Sequence, residues 1–164
     1  MFHKFVTARS ICYNVFFIKD KTMHICLKTY SKREKKTLVQ VIVTDRLPVH
    51  LTGPCELDCE LKVHAEKDHY VVTLNSVANL AVTCQRCLAV FDYEHRQLTR
   101  LAACNDDMIA SMLMARFDDV VVIDDELDLQ HMITDELHLL VPERHNCPGD
   151  CDQDALSLLG AVCA

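Results

Sequence analysis

Two cysteines separated by two residues, Cys84 and Cys87, lie in the stretch "LAVTCQRCLAVFDYEH". This spacing serves disulfide exchange or metal binding. A dithiol oxidoreductase places the pair where a strand passes into a helix, because the helix N-terminus lowers the pKa of the first thiol. Here both flanks alternate as strands do, so the pattern predicts a hairpin tip, which is typical of a zinc knuckle. Metal binding is favoured over redox chemistry, and two buried thiols without metal remain the alternative.

The C-terminal tail offers the other half of a tetrahedral site in "HNCPGDC". Cys147 and Cys151 are joined by a tight Pro-Gly-Asp loop, and His145 is a spare ligand. We therefore predict a zinc site made by Cys84, Cys87, Cys147 and Cys151. Four protein sulfurs leave no open position for a water nucleophile, so such a zinc would be structural.

No constellation of catalytic residues is visible, and we predict no catalytic residue and no small-molecule substrate. Only three glycines are present, which excludes the glycine-rich loops that cradle phosphates and the nucleophile elbow of serine hydrolases. The acidic run "DDELD", Asp124 to Asp128, could be imagined as a divalent cation site. Acidic residues at a helix N-terminus are already favoured by the helix dipole, so capping is the stronger explanation.

Ten cysteines in 164 residues would suit a secreted disulfide framework, but no segment has the order of a secretory signal. We therefore expect a cytoplasmic protein with reduced thiols. The longest apolar stretches are interrupted by Asn and Ser well short of the ~20 residues that a membrane span needs. No membrane contact is expected.

The charge is distributed unevenly along the chain. Through Lys36 there are nine basic and two acidic residues, so this segment carries +7 and leaves -14 for the remainder. We interpret residues 1–36 as a basic N-terminal extension, which could be flexible and whose true start could be Met23 rather than Met1. Such a patch suits nucleic acid or another anionic surface, and a solvated charged surface is the alternative. The candidate RNA-binding residues are Lys28, Lys32, Arg33, Lys35, Lys36 and Arg86.

Residues 37–164 are predicted to form a single α+β domain. Strict alternation of apolar and polar residues from Cys55 to Glu66 predicts a strand with one face exposed to solvent. Cys55 and Cys59 lie on the other, apolar face and are expected to be buried in the core. The following segments continue as an antiparallel β meander, with one more strand near Val120 to Ile123. A C-terminal helix capped by Asp128 is expected to pack on this sheet and to precede the Cys-bearing tail. Its apolar face is predicted to consist of Leu129, Ile133, Leu137 and Leu140.

The order of "CQRC", an acidic spacer and "ELDLQHMITDELHLLVPERHNC" resembles the YceD family, bacterial proteins named for accumulation of large-subunit ribosomal RNA. The residues that fill the family pattern are Cys84, Arg86, Cys87, Phe91, Leu127, Asp128, Leu129, Glu136 and Pro142. The resemblance implies a non-enzymatic ribosome-biogenesis factor for synthesis, processing or stability of 23S ribosomal RNA. Its partners would be that RNA or its precursor, a basic ribosomal protein, or both. A thiol redox protein using Cys84 and Cys87, or a metal-dependent nuclease using "DDELD", is the alternative.

Overall fold

The computed structural model describes residues 23–33 and 36–158. Within these ranges, seven strands and four α-helices follow one another. The strands are β1 His24–Cys26, β2 Thr37–Val43, β3 Cys55–Ala65, β4 Tyr70–Thr83, β5 Val90–Cys104, β6 Asp119–Val122 and β7 Glu126–Asp128. The helices are α1 Leu27–Ser31, α2 Asp107–Leu113, α3 Leu129–Leu140 and α4 Gln153–Leu158.

The predicted α+β fold is confirmed. Strands β2 to β6 form one sheet in sequence order, and the first four pair antiparallel. The strand predicted near Val120 is β6, and it pairs with the end of β5 in parallel. A second, two-stranded sheet joins β1 to β7. No helix within the described ranges is long and apolar enough to cross a membrane.

Helix α3 covers one face of the large sheet, as its apolar periodicity predicted. Leu129, Ile133 and Leu137 are fully buried, and the Asp128 side chain caps the helix by accepting a hydrogen bond from the N–H of His131. The prediction was wrong for Leu140, which is 41% exposed. The helix ends at this residue, and the extended backbone that follows turns the Val141 side chain into the core instead.

A buried polar network fastens α3 to the middle of the sheet. Glu136 accepts hydrogen bonds from the Ser76 hydroxyl at 2.5 Å, from the Thr99 hydroxyl at 2.9 Å and from Nε2 of His95 at 2.9 Å. Nε2 of His95 also lies 3.1 Å from the Ser76 hydroxyl, so one imidazole nitrogen faces both partners. The network links α3 to strands β4 and β5.

Residues 23–33, which the sequence analysis assigned to the basic extension, contribute β1 and α1 to the main core. Met23, Ile25 and Leu27 are buried in it. The Leu27 N–H donates to the carbonyl of Asp125 at 2.8 Å, so this segment is tied to the loop before β7. The extension's remaining residues, 1–22, 34 and 35, lie outside the described ranges.

Among the described residues, a helix covers the opposite face of the sheet at one end. Helix α2, capped by the Asp106 side chain, packs there with Phe117 on Val71, Ala102 and Cys104. Beyond this small cluster no described helix packs on the face, and strand β3 displays alternating exposed residues as its sequence predicted. Cys55 and Cys59 point to the core side and are buried, as expected.

Candidate metal centre

The Cys-x-x-Cys pair lies at the tip of the β4–β5 hairpin, as predicted. Strand β4 ends at Thr83 and β5 begins at Val90. The Leu88 N–H donates to the Cys84 carbonyl at 2.8 Å, and Leu88 itself takes a positive φ of 63°. This turn buries both thiols on one side, with Cys84 fully buried and Cys87 only 3% exposed.

The C-terminal tail folds back onto this hairpin tip. The Gln85 N–H donates to the carbonyl of Glu143 at 2.8 Å, and the ring of His145 packs on Phe91 with centroids 4.3 Å apart. Leu156 of α4 joins the buried cysteines in a third small core. Backbone pairing and apolar packing together bring tail ligands to the hairpin.

Four ligand atoms converge there, from Cys84, Cys87, His145 and Cys151, all within 4.8 Å of one another. The Sγ atoms of Cys84 and Cys151 lie 3.9 Å apart. Nδ1 of His145 lies 3.8 Å from Sγ of Cys87 and 3.6 Å from Sγ of Cys151. Ligands at the corners of a zinc tetrahedron, with bonds of about 2.0 to 2.3 Å, lie roughly 3.3 to 3.8 Å apart. The cluster could therefore hold a metal with little movement.

The tail ligands differ from the predicted pair by one residue. Cys147 is exposed and stands outside the cluster, whereas His145, named in the sequence only as a spare, is inside it. Cys147 precedes the 3-10 turn Pro148–Asp150, and Cys151 follows it. The turn reverses the chain between the two cysteines, so one side chain faces solvent while the other is buried.

The cluster favours ionisation of one thiol and opposes that of another. Burial acts to raise the pKa of Cys84, but hydrogen bonds from the backbone of His145, Arg86 and Cys87 outweigh it and bring the pKa to about 6. Burial and the neighbouring thiols raise the pKa of Cys151 to about 11. A cation would relieve this crowding, because thiolates rather than thiols are metal ligands.

The segment that builds this centre also decides the chain's family. The family described as "Large ribosomal RNA subunit accumulation protein YceD" has a model that matches residues 72–162, just over half of the chain. The chain belongs to the YceD family. The family's description implies a role in accumulation of large-subunit ribosomal RNA. No curated protein and no solved structure matches the chain.

The YceD match includes β5, α3 and all four residues of the cluster, while β1, β2 and β3 precede it. Arg86, between the two knuckle cysteines, directs Nη1 toward Sγ of Cys151 at 3.6 Å. It was a candidate RNA-binding residue, and in the structure its guanidinium is engaged with the thiol. A cation at this point would offset the negative charge of a metal held by three thiolates.

The other RNA candidates lie around α1. Lys28 and Lys32 are exposed, and the guanidinium of Arg33 lies 4.6 Å from the centre of the Tyr30 ring. Lys36 is exposed but pairs with Glu60 at 2.5 Å. Lys35 lies outside the described residues.

The acidic run that suggested a nuclease is placed at the entry to α3. Asp124, Asp125 and Glu126 are exposed, and Asp128 caps the helix. Within the described ranges, the group of possible metal ligands that the structure assembles is the cysteine–histidine cluster, and this run does not belong to it. Capping accounts for Asp128, as the sequence analysis proposed.

Proposed function

We propose that this YceD-family protein is a non-enzymatic ribosome-biogenesis factor that supports synthesis, processing or stability of 23S ribosomal RNA. The observation that carries the proposal is the family match across the hairpin tip, α3 and the tail. The redox alternative needs a thiol of lowered pKa, which Cys84 provides, and also access to a partner. Cys84 and Cys87 are 0% and 3% exposed, which opposes that access.

The metal of the cluster, in this proposal, is zinc. Three thiolates and one imidazole are a donor set that zinc accepts in structural sites. With four protein ligands, such an ion has no open position for a water nucleophile. Its role would be to fasten the tail to the β4–β5 hairpin, and so to fix the surface that this end of the molecule presents.

Two modes of contact with the ribosome are compatible with the charges. Affinity for RNA comes largely from Lys and Arg that displace counterions from phosphates. The exposed Lys28 and Lys32, with Arg33 beside them, form the basic surface that such contact needs. The acidic remainder of the chain would instead suit a basic ribosomal protein.

The test is the level of ribosomal RNA in a strain that lacks the protein. We expect mature 23S ribosomal RNA to fall while small-subunit RNA is less affected, and we expect the unaltered chain to restore it. Complementation with Cys84→Ser should fail, whereas Cys147→Ser should succeed as the matched control. Normal 23S levels in the deletion strain would remove the functional proposal.

A further inference from the structure

In the described part of the chain, only four of the 15 residues of strand β5 are paired on its outer side. Leu101 to Cys104 pair with β6, whereas Val90 to Arg100 pair with β4 on one side and with no described strand on the other. In the described part of the chain, no main-chain hydrogen bond joins this stretch to anything but β4. The Gln97 side chain makes one weak contact with the Leu98 carbonyl, at 3.5 Å.

The hydrogen-bonding direction along this edge follows from β4. The Thr83 N–H donates to the His50 carbonyl, and the Ala81 carbonyl accepts from the Thr52 N–H, so both residues direct these groups away from β5. Their partners across the ladder, Val90 and Asp92, are therefore in non-hydrogen-bonded pairs. Because the two pair types alternate in antiparallel ladders, every even-numbered residue from Val90 to Arg100 directs its N–H and C=O outward.

Within the described residues, no other segment is hydrogen-bonded through its main chain to this edge. The stretch contains no Pro, which is one of the residues that protect an edge, and its charged side chains, which can also protect one, are of both signs. All of its even-numbered side chains are exposed, including Val90 at 60% and Leu98 at 66%. The cluster of α2 and Phe117 covers these side chains' face of the sheet from Ala102 onward, and the Arg100 guanidinium lies at its border, 5.1 Å from the centre of the Phe117 ring.

We propose that this edge is a self-association surface, on which two copies of the chain pair their β5 strands antiparallel about a two-fold axis at His95. His95 is the midpoint of the free stretch, so this register pairs its whole length. Each Glu94 then lies opposite an Arg96 of the other copy, in a hydrogen-bonded pair. The two five-stranded sheets would become one continuous sheet.

The distribution of charge selects this orientation. Asp92 and Glu94 occupy one half of the free edge, and Arg96 and Arg100 occupy the other. An antiparallel arrangement places the acidic half of each copy against the basic half of its partner. A parallel one would place like charges opposite each other, which is unfavourable. Within a single chain, Glu94 and Arg96 already contact each other, with Arg96 Nε donating at 2.7 Å.

The proposal is independent of the ribosomal function and is tested by sedimentation of the full chain over a range of concentrations. We expect a monomer–dimer equilibrium. Arg96→Glu places two pairs of acidic residues opposite each other and should raise the dissociation constant about tenfold or more. The exchanged double variant, Glu94→Arg with Arg96→Glu, recreates both pairs and should restore dimerisation. Circular dichroism checks that each variant is folded.

Hydrogen exchange supplies a second measurement that does not depend on a substitution. Amides of Asp92, Glu94 and Arg96 should exchange more slowly as concentration rises, whereas those of Tyr93 and His95, which already bond to β4, should not change. A monomer at every concentration would overturn the proposal. So would a dimer that is indifferent to both the single and the exchanged variants.

Discussion

Cys84 and Cys151 are 67 positions apart in the sequence, and their Sγ atoms lie 3.9 Å apart. A metal held between them would close a long loop that contains β5, α3 and the tail as far as Cys151. Cross-links of this kind stabilise a fold partly by restricting the unfolded chain, and the restriction grows slowly with loop length. The centre would thus act on the stability of the whole C-terminal half.

The first prediction concerns the ligand set. Protein purified under reducing conditions should carry one zinc per chain, and both Cys84→Ser and His145→Ala should lose it. Cys147→Ser should retain it, because that thiol is exposed and outside the cluster. Metal content is measured by native mass spectrometry of the intact protein and by elemental mass spectrometry of digested samples. Loss of zinc from Cys147→Ser with retention in His145→Ala would refute the Cys3His set.

The second prediction concerns metal removal. A ligand that binds only the folded state at a free concentration 1,000 times its dissociation constant adds about 4 kcal/mol of stability. A chelator should therefore lower the melting temperature, and residues 143–156 should become the fastest-exchanging part of the described C-terminal region. Cys84→Ser should melt like the chelated parent and should not respond to chelator. An unchanged melting temperature after complete metal removal would contradict a structural role.

The third prediction concerns Arg86. Because its guanidinium lies 3.6 Å from Sγ of Cys151, Arg86→Gln should weaken zinc binding by about 10- to 100-fold, the usual range for residues that support metal ligands. Competition with a chromophoric chelator gives the affinity. Gln85→Ala is the matched control, since its exposed side chain bonds to the Thr83 carbonyl rather than to a ligand. Equal zinc affinities of Arg86→Gln and the parent would contradict this role and leave RNA binding as the hypothesis for Arg86.

The fourth prediction is a pH dependence of stability. Burial acts to raise the pKa of Glu136, but hydrogen bonds from His95, Ser76 and Thr99 outweigh it and hold the pKa below its ordinary value of 4.5. The Glu136 carboxyl therefore binds a proton more readily in the unfolded chain than in the native one. Its contribution to the stability of the fold is present above pH 4.5 and is lost as the pH falls through the native pKa. Glu136→Gln should reduce the loss of stability at acid pH.

At neutral pH the same Glu136→Gln substitution should lower the free energy of unfolding by roughly 1 to 3 kcal/mol, because it removes a charged acceptor from the buried Ser76 and His95 and the partly buried Thr99. Asp135→Asn, a neighbouring carboxyl that is 61% exposed, should stay within about 0.5 kcal/mol of the parent. Urea unfolding at several pH values measures both effects. If the free energy of unfolding of Glu136→Gln falls with pH as steeply as that of the parent, this network does not control the loss of stability at acid pH.

The fifth prediction concerns RNA contact. Replacing Lys32, Arg33, Lys35 and Lys36 by Gln should weaken binding to all RNA sequences alike. The slope of log affinity against log salt should flatten by roughly 0.7 to 0.9 for each lost phosphate contact. Lys62→Gln, an exposed lysine of β3, is the control. Unchanged RNA association would favour the acidic surface and a basic ribosomal protein as its partner.

The sequence by itself determined the elements whose pattern is periodic. Alternation located β3, the apolar spacing with an Asp cap located α3 within its observed bounds, and the placement of Cys84 and Cys87 between two strands indicated a hairpin tip. These features depend on neighbours within a few residues, because side-chain direction in a helix or strand repeats with a fixed period.

Tertiary structure decided what periodicity does not encode. Past Pro142 the chain has no regular period, so whether His145 or Cys147 faces the hairpin depends on the turn at Pro148–Asp150 and on the packing of His145 against Phe91. The meeting of Glu136 with His95, and the short β6 that pairs with only four residues of β5, depend on which distant segments become neighbours. Such pairings are set by the burial and hydrogen bonding of the whole chain, and the local sequence carries no signal for them.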